Sequence, residues 1–271
     1  MTDRIWRLTV GRGPLVATAI HAGHEVREDV LTHMALDESE RLREEDPLTE
    51  LWTRVAPTQI VGLRSRFEAD LNRPRARAIC RSPEDAWGLR VWKDGVPDDV
   101  ADRSLAEYDM FYKALGTLYR EIADRYGAFV VYDLHTYNHR RAGPDGPRAD
   151  PAGHPQVNVG TRSLANRERF GGLVERFMQD LSDFDFPGGK LDVRENVNFF
   201  GGNHPAWAHR EFPDTACVLA VEFKKFFMDE WTGEADMTLV DAIGRALATT
   251  VPGVLEELAR IGAESTDEEA L

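Results

Sequence analysis

Histidine and carboxylate side chains, the types that bind a catalytic zinc ion, follow apolar segments at three places in the chain. They are His21, His24 and Glu25 at the first place, His135 at the second and Glu222 at the third. Catalytic zinc takes about three protein ligands from His and carboxylate and leaves a position for water. A short loop can supply two ligands while the fold supplies a distant third. We therefore predict a zinc site formed by His21, His135 and either His24 or Glu25.

Cysteine usage limits the kind of metal site that this chain can form. The two cysteines, Cys80 and Cys217, are far apart and belong to no Cys-x-x-Cys motif. This pattern indicates neither a disulfide framework nor a thiolate zinc site. Any metal must be held by His and carboxylates.

Two further carboxylates are placed for roles beside the metal. Glu222 lies inside an apolar segment, where a carboxylate must be paired, bound to metal or raised in pKa. A raised pKa suits a general base, although Lys224 could instead be a structural partner of Glu222. Asp133, two residues before His135, could hydrogen-bond to that histidine as an outer-shell carboxylate.

Arginines and an asparagine follow another predicted strand, at Arg64, Arg66, Asn72 and Arg73. A guanidinium group binds a carboxylate through two parallel hydrogen bonds, and an adjacent amide can donate to the same group. The segment therefore predicts a binding site for a carboxylate. The alternative is that these arginines pair with neighbouring acidic residues.

The elements that must position these groups alternate between strands and helices. Short apolar or β-branched segments predict strands at Arg4–Val10, Leu15–Ile20, Gln59–Leu63, Ala128–Asp133, Val157–Gly160, Lys190–Val193 and Cys217–Phe223. Helical spacing or composition predicts helices at Asp37–Glu45, Asp102–Tyr126, Leu164–Leu181 and from about Thr238 to Ile261. This order predicts an α/β fold, a three-layer αβα sandwich with a central mixed, mostly parallel sheet. Ligands of such sheets bind beyond the carboxyl ends of the strands, where all three histidine and carboxylate groups lie.

Composition restricts the partners of the protein. The 271 residues carry 33 Lys and Arg against 47 Asp and Glu, a net charge of −14, and 42% are apolar. A surface with this negative charge repels nucleic acid and anionic membranes. It is still compatible with a small anion bound by a local group of arginines. No uncharged apolar run is long enough to span a bilayer, so we expect a cytoplasmic protein. We expect one domain over residues 1–263 and a disordered acidic tail over 264–271.

Several motifs together resemble the N-formylglutamate amidohydrolase family. They are His21-Ala-Gly-His24-Glu25, Asp70-Leu-Asn-Arg73, Asp133-Leu-His135-Thr-Tyr-Asn138, Asn198-Phe-Phe-Gly-Gly-Asn203 and Val221-Glu222-Phe-Lys-Lys225, and they extend from about residue 14 to 236. That family is similar to zinc carboxypeptidases and aspartoacylase. The resemblance implies a zinc-carboxypeptidase-like fold, Zn²⁺ as cofactor, and cleavage of an amide bond beside a free carboxylate.

The resemblance also implies roles for the ligands. His21 and His135 are similar to the outer zinc ligands of these hydrolases. The middle ligand differs from the family's His-x-x-Glu pattern: His24 has the right spacing, Glu25 the right chemistry, and Asp46 is a third alternative.

The remaining implied roles concern the substrate. Asn72 and Arg73 match the pair that holds the substrate carboxylate, and Arg66, or else Arg64, matches the arginine that polarises the scissile carbonyl. Glu222 resembles the general base. Asn138 lies in a matched motif, and His204 or His209 could contact the substrate from the glycine-rich segment 201–207, so all three are candidates for substrate binding.

The implied activity is hydrolysis of an N-acyl amino acid such as N-formylglutamate, a small-molecule carboxylate. Two alternatives share the same scaffold. One is a carboxypeptidase-like enzyme that acts on a short peptide, and the other is a metal-free module that binds an amino acid or peptide.

Overall fold

A computed structural model describes residues 5–268 and shows one seven-stranded sheet flanked by helices. The strands are β1 (Trp6–Thr9), β2 (Leu15–Ala19), β3 (Thr58–Gly62), β4 (Phe129–Tyr137), β5 (Val157–Gly160), β6 (Val193–Glu195) and β7 (Ala216–Lys224). Their order across the sheet is β1-β3-β2-β4-β7-β5-β6. The pairs β1–β3 and β5–β7 are antiparallel and the other four pairs are parallel, which confirms the predicted mixed, mostly parallel sheet.

The helices cover both faces of the sheet. They are α1 (Glu28–His33), α2 (Glu38–Glu44), α3 (Thr49–Trp52), α4 (Asp98–Tyr126), α5 (Arg167–Asp183), α6 (Asn203–Glu211) and α7 (Met237–Glu268). One core lies between the sheet and α3, α5 and α7, and the other lies between the sheet and α4 and α6. The predicted three layers are therefore present.

The central strand β4 lies between β2 and β7 and is buried at every position, because its side chains contribute to the cores on both faces of the sheet. An apolar run without alternation is typical of such a strand, since both of its faces are covered. Residues 134–137 continue the strand beyond the predicted end at Asp133 and carry His135 into the sheet.

Two features differ from the sequence-based expectation. Residues 203–211 form the helix α6, which is absent from the predicted helices. α7 continues to Glu268, past the expected end at Ile261, so residues 264–268 of the expected tail are helical and 269–271 lie outside the described residues. Within residues 5–268, no helix is both long and apolar enough to cross a membrane.

Candidate active site

Two histidines and one aspartate meet at the carboxyl end of the sheet. His21 follows β2, His135 is on β4, and Asp46 lies between α2 and α3. One ligand atom from each lies within 4.8 Å of the other two. Asp46 Oδ2 is 2.9 Å from His135 Nδ1 and 3.4 Å from His21 Nδ1. All three side chains are buried, and together they form the candidate metal centre.

A buried carboxylate lies beside the Nε2 atom of each imidazole, the ring nitrogen farther from Asp46. His21 Nε2–H donates to Asp70 Oδ1 at 2.8 Å, and His135 Nε2 lies 3.1 Å from Asp133 Oδ2. A proton on Nε2 leaves Nδ1 free to bind a metal, and such carboxylate–imidazole pairs orient metal ligands in many enzymes. His21 Nδ1 is buried and has no hydrogen-bond partner among the described residues. A buried acceptor of this kind requires a partner, and it faces the centre of the group.

The charge around the two imidazoles suits a divalent cation. Burial opposes charge on His135, but Asp133 and Asp46 outweigh it and hold the pKa of this histidine well above its ordinary value. Burial also opposes charge on Asp46, yet the hydrogen bond with His135 and the neighbouring imidazole of His21 hold the pKa of Asp46 far below its ordinary value. The environment therefore favours positive charge between ionised carboxylates. The His–Asp–His donor set fits zinc, which binds imidazole nitrogen and carboxylate oxygen.

Asp46 reaches the centre through bonds from three elements. Its backbone N–H donates to the carbonyl of His21 at 3.0 Å, and Thr136 Oγ1 donates to its Oδ1 at 2.9 Å. The buried ammonium of Lys225 donates to the carbonyl of Glu45, the preceding residue, at 2.9 Å. These bonds keep Oδ2 directed at the histidines.

The structure places neither His24 nor Glu25 in the metal centre. His24 Nδ1 pairs with Glu45 Oε2 at 2.5 Å, and Glu25 is exposed and forms a backbone bridge beside Arg64. The chain passes so close to β3 that a Cβ on Gly23 would lie 2.2 Å from the backbone of Leu63. This path carries both side chains away from His21, so Asp46 is the third member of the group.

His204 lies behind the metal centre rather than in the cavity. It is fully buried on α6, where its Nδ1 is 3.0 Å from Asp133 Oδ1 and its Nε2 is 2.9 Å from the hydroxyl of Tyr119. Thr18 Oγ1 donates to the same Asp133 oxygen at 2.6 Å. His204 and Thr18 therefore position Asp133, which in turn orients His135. The placement of His204 does not support the expected contact with substrate.

His209 is also directed inward. Its Nε2 accepts a hydrogen bond from the backbone N–H of Val218 at 2.9 Å, and its Nδ1 lies 2.8 Å from Ser163 Oγ. It is a structural residue of the layer between α6 and β7.

Glu222 lies opposite His135 on the neighbouring strand β7. Its side chain is half-buried and lines the same cavity as the metal centre. Burial, reinforced by Asp46 and Asp133 against the opposing influence of His135, raises the pKa of Glu222 to about 8. Lys224, the alternative partner considered for Glu222, does not line this cavity. A carboxylate with this pKa can accept and return a proton near neutral pH.

The segment Asp70–Arg73 turns tightly along one wall of the cavity. The backbone N–H of Asn72 donates to Asp70 Oδ1 at 2.9 Å, and the hydroxyls of Tyr108 and Tyr112 on α4 donate to the carbonyls of Arg73 and Leu71. Asn72 and Arg73 both line the cavity, and Arg73 Nε lies 3.3 Å from Asp70 Oδ2.

The side chain of Asn72 also forms hydrogen bonds to the opposite wall of the cavity. Its Oδ1 accepts a hydrogen bond from the backbone N–H of His204 at 3.0 Å, and its Nδ2 is 3.4 Å from His135 Nε2. Gly202 is necessary for this contact, because a Cβ there would lie 2.3 Å from Asn72 Oδ1.

Of the other polar candidates, Arg66 and Asn138 line the cavity and Arg64 does not. Arg66 Nη2 pairs with Asp70 Oδ2 at 2.8 Å, which directs the guanidinium beside the metal centre. Asn138 donates from Nδ2 to the carbonyl of Arg43 at 2.9 Å. Arg64 is close enough to Glu68 to influence its pKa, away from the cavity.

The cavity that these residues line has a volume of about 300 Å³. Its charged wall contains four cationic side chains, Arg66, Arg73, Arg141 and Lys225, and three carboxylates, Glu44, Asp46 and Glu222. Trp87 covers the arginine side, where the guanidinium carbons of Arg66, Arg73 and Arg141 lie 4.9, 5.7 and 5.7 Å from its ring centre. This arrangement combines the candidate metal centre, a carboxylate of raised pKa and a cationic wall in one cavity.

Known proteins share this architecture. The crystal structure of N-formylglutamate amidohydrolase from Ralstonia eutropha aligns with a TM-score of 0.72 and 20% identity over 94% of this chain and 98% of that chain. A gene product of Agrobacterium tumefaciens aligns with a TM-score of 0.59 and 17% identity over 91% and 96% of the two chains. At these identities the likeness concerns the fold. No curated protein sequence matches the chain.

Family membership rests on a separate sequence comparison. Residues 13–226 match the family model of N-formylglutamate amidohydrolase. This span includes β2, β4 and β7 and every residue of the candidate metal centre. The chain belongs to the N-formylglutamate amidohydrolase family.

Proposed function

We propose that the protein is a zinc-dependent amidohydrolase that cleaves an N-acyl amino acid such as N-formylglutamate. The observation that carries this proposal is the convergence of His21, Asp46 and His135 in a cavity that also contains Glu222. Family membership supports amide hydrolysis, and the cavity supports a small-molecule substrate.

His21, Asp46 and His135 would hold the metal. Zinc bound there would supply a Lewis acid that polarises the scissile carbonyl and makes water more acidic. Asp70 and Asp133 keep the imidazoles in the orientation and tautomer that the metal requires.

Glu222 would act as general base and then as general acid. It takes a proton from the attacking water as the new C–O bond forms, and it delivers a proton to the amine nitrogen as the C–N bond breaks. The Arg66 guanidinium lines the same cavity and would stabilise the negative charge that develops on the carbonyl oxygen.

Arg73 and Asn72 would bind the α-carboxylate of the substrate. Arg73 presents the guanidinium geometry that matches a carboxylate, and its backbone is fixed by Tyr108. This anchor would hold the amide at a constant distance from Glu222. A carboxylate-anchored amide is also what a carboxypeptidase-like enzyme cleaves, so short peptides remain the second candidate substrates.

The decisive experiment combines metal analysis with a hydrolysis assay. Protein purified without added metal should contain near-stoichiometric zinc and should release formate and glutamate from N-formylglutamate. Chelation should abolish the activity, and zinc should restore it. Absence of zinc after gentle purification, together with no gain of activity on zinc addition, would favour the metal-free binding module instead.

A further inference from the structure

The backbone of the proposed carboxylate anchor is held through three successive carbonyls, those of residues 71–73. The hydroxyl of Tyr112 donates to the first at 2.6 Å, and the hydroxyl of Tyr108, one turn earlier on α4, donates to the third at 2.8 Å. The backbone N–H of Asn203, the first residue of α6, donates to the second at 2.9 Å. Two helices therefore fix the peptide groups that carry the anchor side chains.

The side chain of Asn203 joins the two tyrosine hydroxyls. Its Nδ2 lies 2.8 Å from the hydroxyl oxygen of Tyr112 and 3.1 Å from that of Tyr108. A carbonyl can only accept a hydrogen bond, so each hydroxyl must give its single proton to the backbone of the anchor. The hydroxyl oxygens are then acceptors, and the atom of Asn203 between them must be the amide nitrogen, which has two hydrogens to donate. The chemistry of the groups thus fixes the direction of every hydrogen bond.

These three side chains, which we call the tyrosine–amide cluster, lie outside the cavity, whereas Asn72 and Arg73 line it. The tyrosine rings are 4.7 Å apart, and Asn203 is half-buried beside them. A guanidinium and an amide bind a carboxylate only in a matched orientation, and a misplacement of about 1 Å can cost a large factor in rate. A change in the cluster should therefore reach the substrate through the anchor.

We propose that Asn203 is a positioning residue for the carboxylate-binding pair Asn72 and Arg73. By donating to both tyrosine hydroxyls, it directs their protons to the backbone of residues 71–73 and keeps the anchor side chains in place. This inference rests on the proposed amidohydrolase function. It adds to that function a residue that acts on the substrate carboxylate through other residues.

Asn203→Asp gives opposite expectations for this role and for a role in helix stability alone. Aspartate has the same shape but no hydrogen to donate, and charge-assisted bonds would draw both hydroxyl protons away from the carbonyls. KM for N-formylglutamate should rise about tenfold with a smaller change in kcat, and KM for its α-amide, which lacks the free α-carboxylate, should change much less. A role confined to α6 predicts no loss, because the helix dipole favours an acidic residue in the first turn.

Asn203→Leu is the matched comparison at the same position. Leucine is similar in size but accepts no hydrogen bond, so the hydroxyl protons stay on the carbonyls of the anchor. KM for N-formylglutamate should rise by less than about threefold, since only the two bonds from the amide are lost. A loss from Asn203→Leu as large as that from Asn203→Asp would overturn the proposal. An equal effect of Asn203→Asp on acid and amide substrates would also overturn it.

The double variant Tyr108→Phe, Tyr112→Phe separates redirected hydroxyl protons from repulsion by the new charge. By itself it should raise KM for the acid and not for the amide, even if Asn203→Asp does not fold. In this background no hydroxyl remains to be redirected, so adding Asn203→Asp should raise KM by less than about twofold, the non-additivity expected within one hydrogen-bond network. A further tenfold rise would show that the charge itself repels the substrate. Asn166→Asp, at the start of α5, is the charge control and should leave KM unchanged.

Binding separates this inference from the proposed function. Calorimetry with Glu222→Gln should give tighter binding of N-formylglutamate than of its α-amide, and adding Asn203→Asp should remove most of this preference. If no N-acyl amino acid is hydrolysed, the proposed function fails, and the binding comparison still decides whether Asn203 controls recognition of the carboxylate. If N-formylglutamate is hydrolysed but Asn203→Asp leaves the preference intact, only the present inference fails. Equal binding of acid and amide before that change would overturn both the anchor and this inference.

Discussion

His135 on β4 and Glu222 on β7 are direct partners in the parallel register of the two strands. The pairing extends over nine residue pairs, from Phe129 with Ala216 to Tyr137 with Lys224. A proposed metal ligand and a proposed base are thus held at one level of a rigid sheet rather than on separate loops. Such an arrangement keeps the distance between metal and base constant through the reaction.

Glu222→Gln should therefore abolish most hydrolysis while leaving the fold and the metal in place. Glutamine keeps the size of the side chain and one acceptor but cannot shuttle a proton, so kcat should fall about 10²–10⁴-fold. Zinc content and melting temperature should be measured in the same preparation. Glu211→Gln, at the exposed end of α6, is the matched control. Activity within tenfold of the wild type would remove Glu222 from the mechanism, and loss of zinc would make it a ligand instead.

Asp46→Asn should separate the three alternatives for the middle ligand. Replacing a direct ligand should lower zinc affinity by more than the about 10–100-fold that an outer-shell partner contributes. His24→Gln and Glu25→Gln should retain zinc, because neither side chain reaches the metal centre. The measurement is zinc retained after dialysis against a graded series of chelator concentrations. Retention by Asp46→Asn with loss from either of the other two variants would reverse the assignment.

The order of strands and helices could be predicted because buried strands and helices have characteristic patterns of apolar residues in the sequence. The apolar runs at β4 and β7 indicate strands covered on both faces, and apolar residues at three- and four-residue spacing mark α4. The sequence pattern of α6 is a weaker signal for a helix. α6 is a short helix with Pro205 in its first turn, and the glycines before it favour a loop prediction.

The third member of the metal centre was harder to identify, because a hydrogen bond between distant backbone groups brings it there. Asp46 N–H binds the carbonyl of His21, and sequence spacing carries no information about such a contact. One local signal was present. An aspartate at the end of a charged helix and directly before Pro47 is buried here, whereas His24, nearer in sequence, is drawn to Glu45. The roles of Asp133 and His204 likewise depend on contacts between β4 and α6.

Arg73→Lys should weaken recognition of the substrate carboxylate more than it slows the chemistry. Lysine keeps the charge but loses the planar pair of donors, so KM for N-acyl amino acids should rise about tenfold with a smaller change in kcat. Substrates whose carboxylate is replaced by an amide should be much less affected. Arg64→Lys is the matched control, since Arg64 does not line the cavity. Equal losses on acid and amide substrates would show that Arg73 does not bind the carboxylate.

The stability of the fold should fall with acid through His209. Its Nε2 accepts the N–H of Val218, which leaves the proton of the neutral ring on Nδ1, beside Ser163 Oγ. A second proton would remove the acceptor. Burial, with a smaller contribution from His204, accordingly lowers the pKa of His209 to about 4. In the unfolded chain the pKa is about 6.5.

As the pH falls, the unfolded state binds the proton before the folded state does. The contribution of His209 to the free energy of unfolding is therefore fully present above about pH 6.5 and is lost progressively down to about pH 4. The total loss is about 3 kcal/mol. His209→Gln supplies an amide oxygen for the Val218 N–H but cannot titrate. The free energy of unfolding should be measured by urea denaturation from pH 7.5 to 4.5 for both proteins. The wild type should lose more stability than the variant, while His33→Gln at the end of α1 should follow the wild type. Because release of metal by acid is common to all three proteins, it cancels in the difference. Parallel curves for wild type and His209→Gln would show that protonation of His209 does not drive the acid instability.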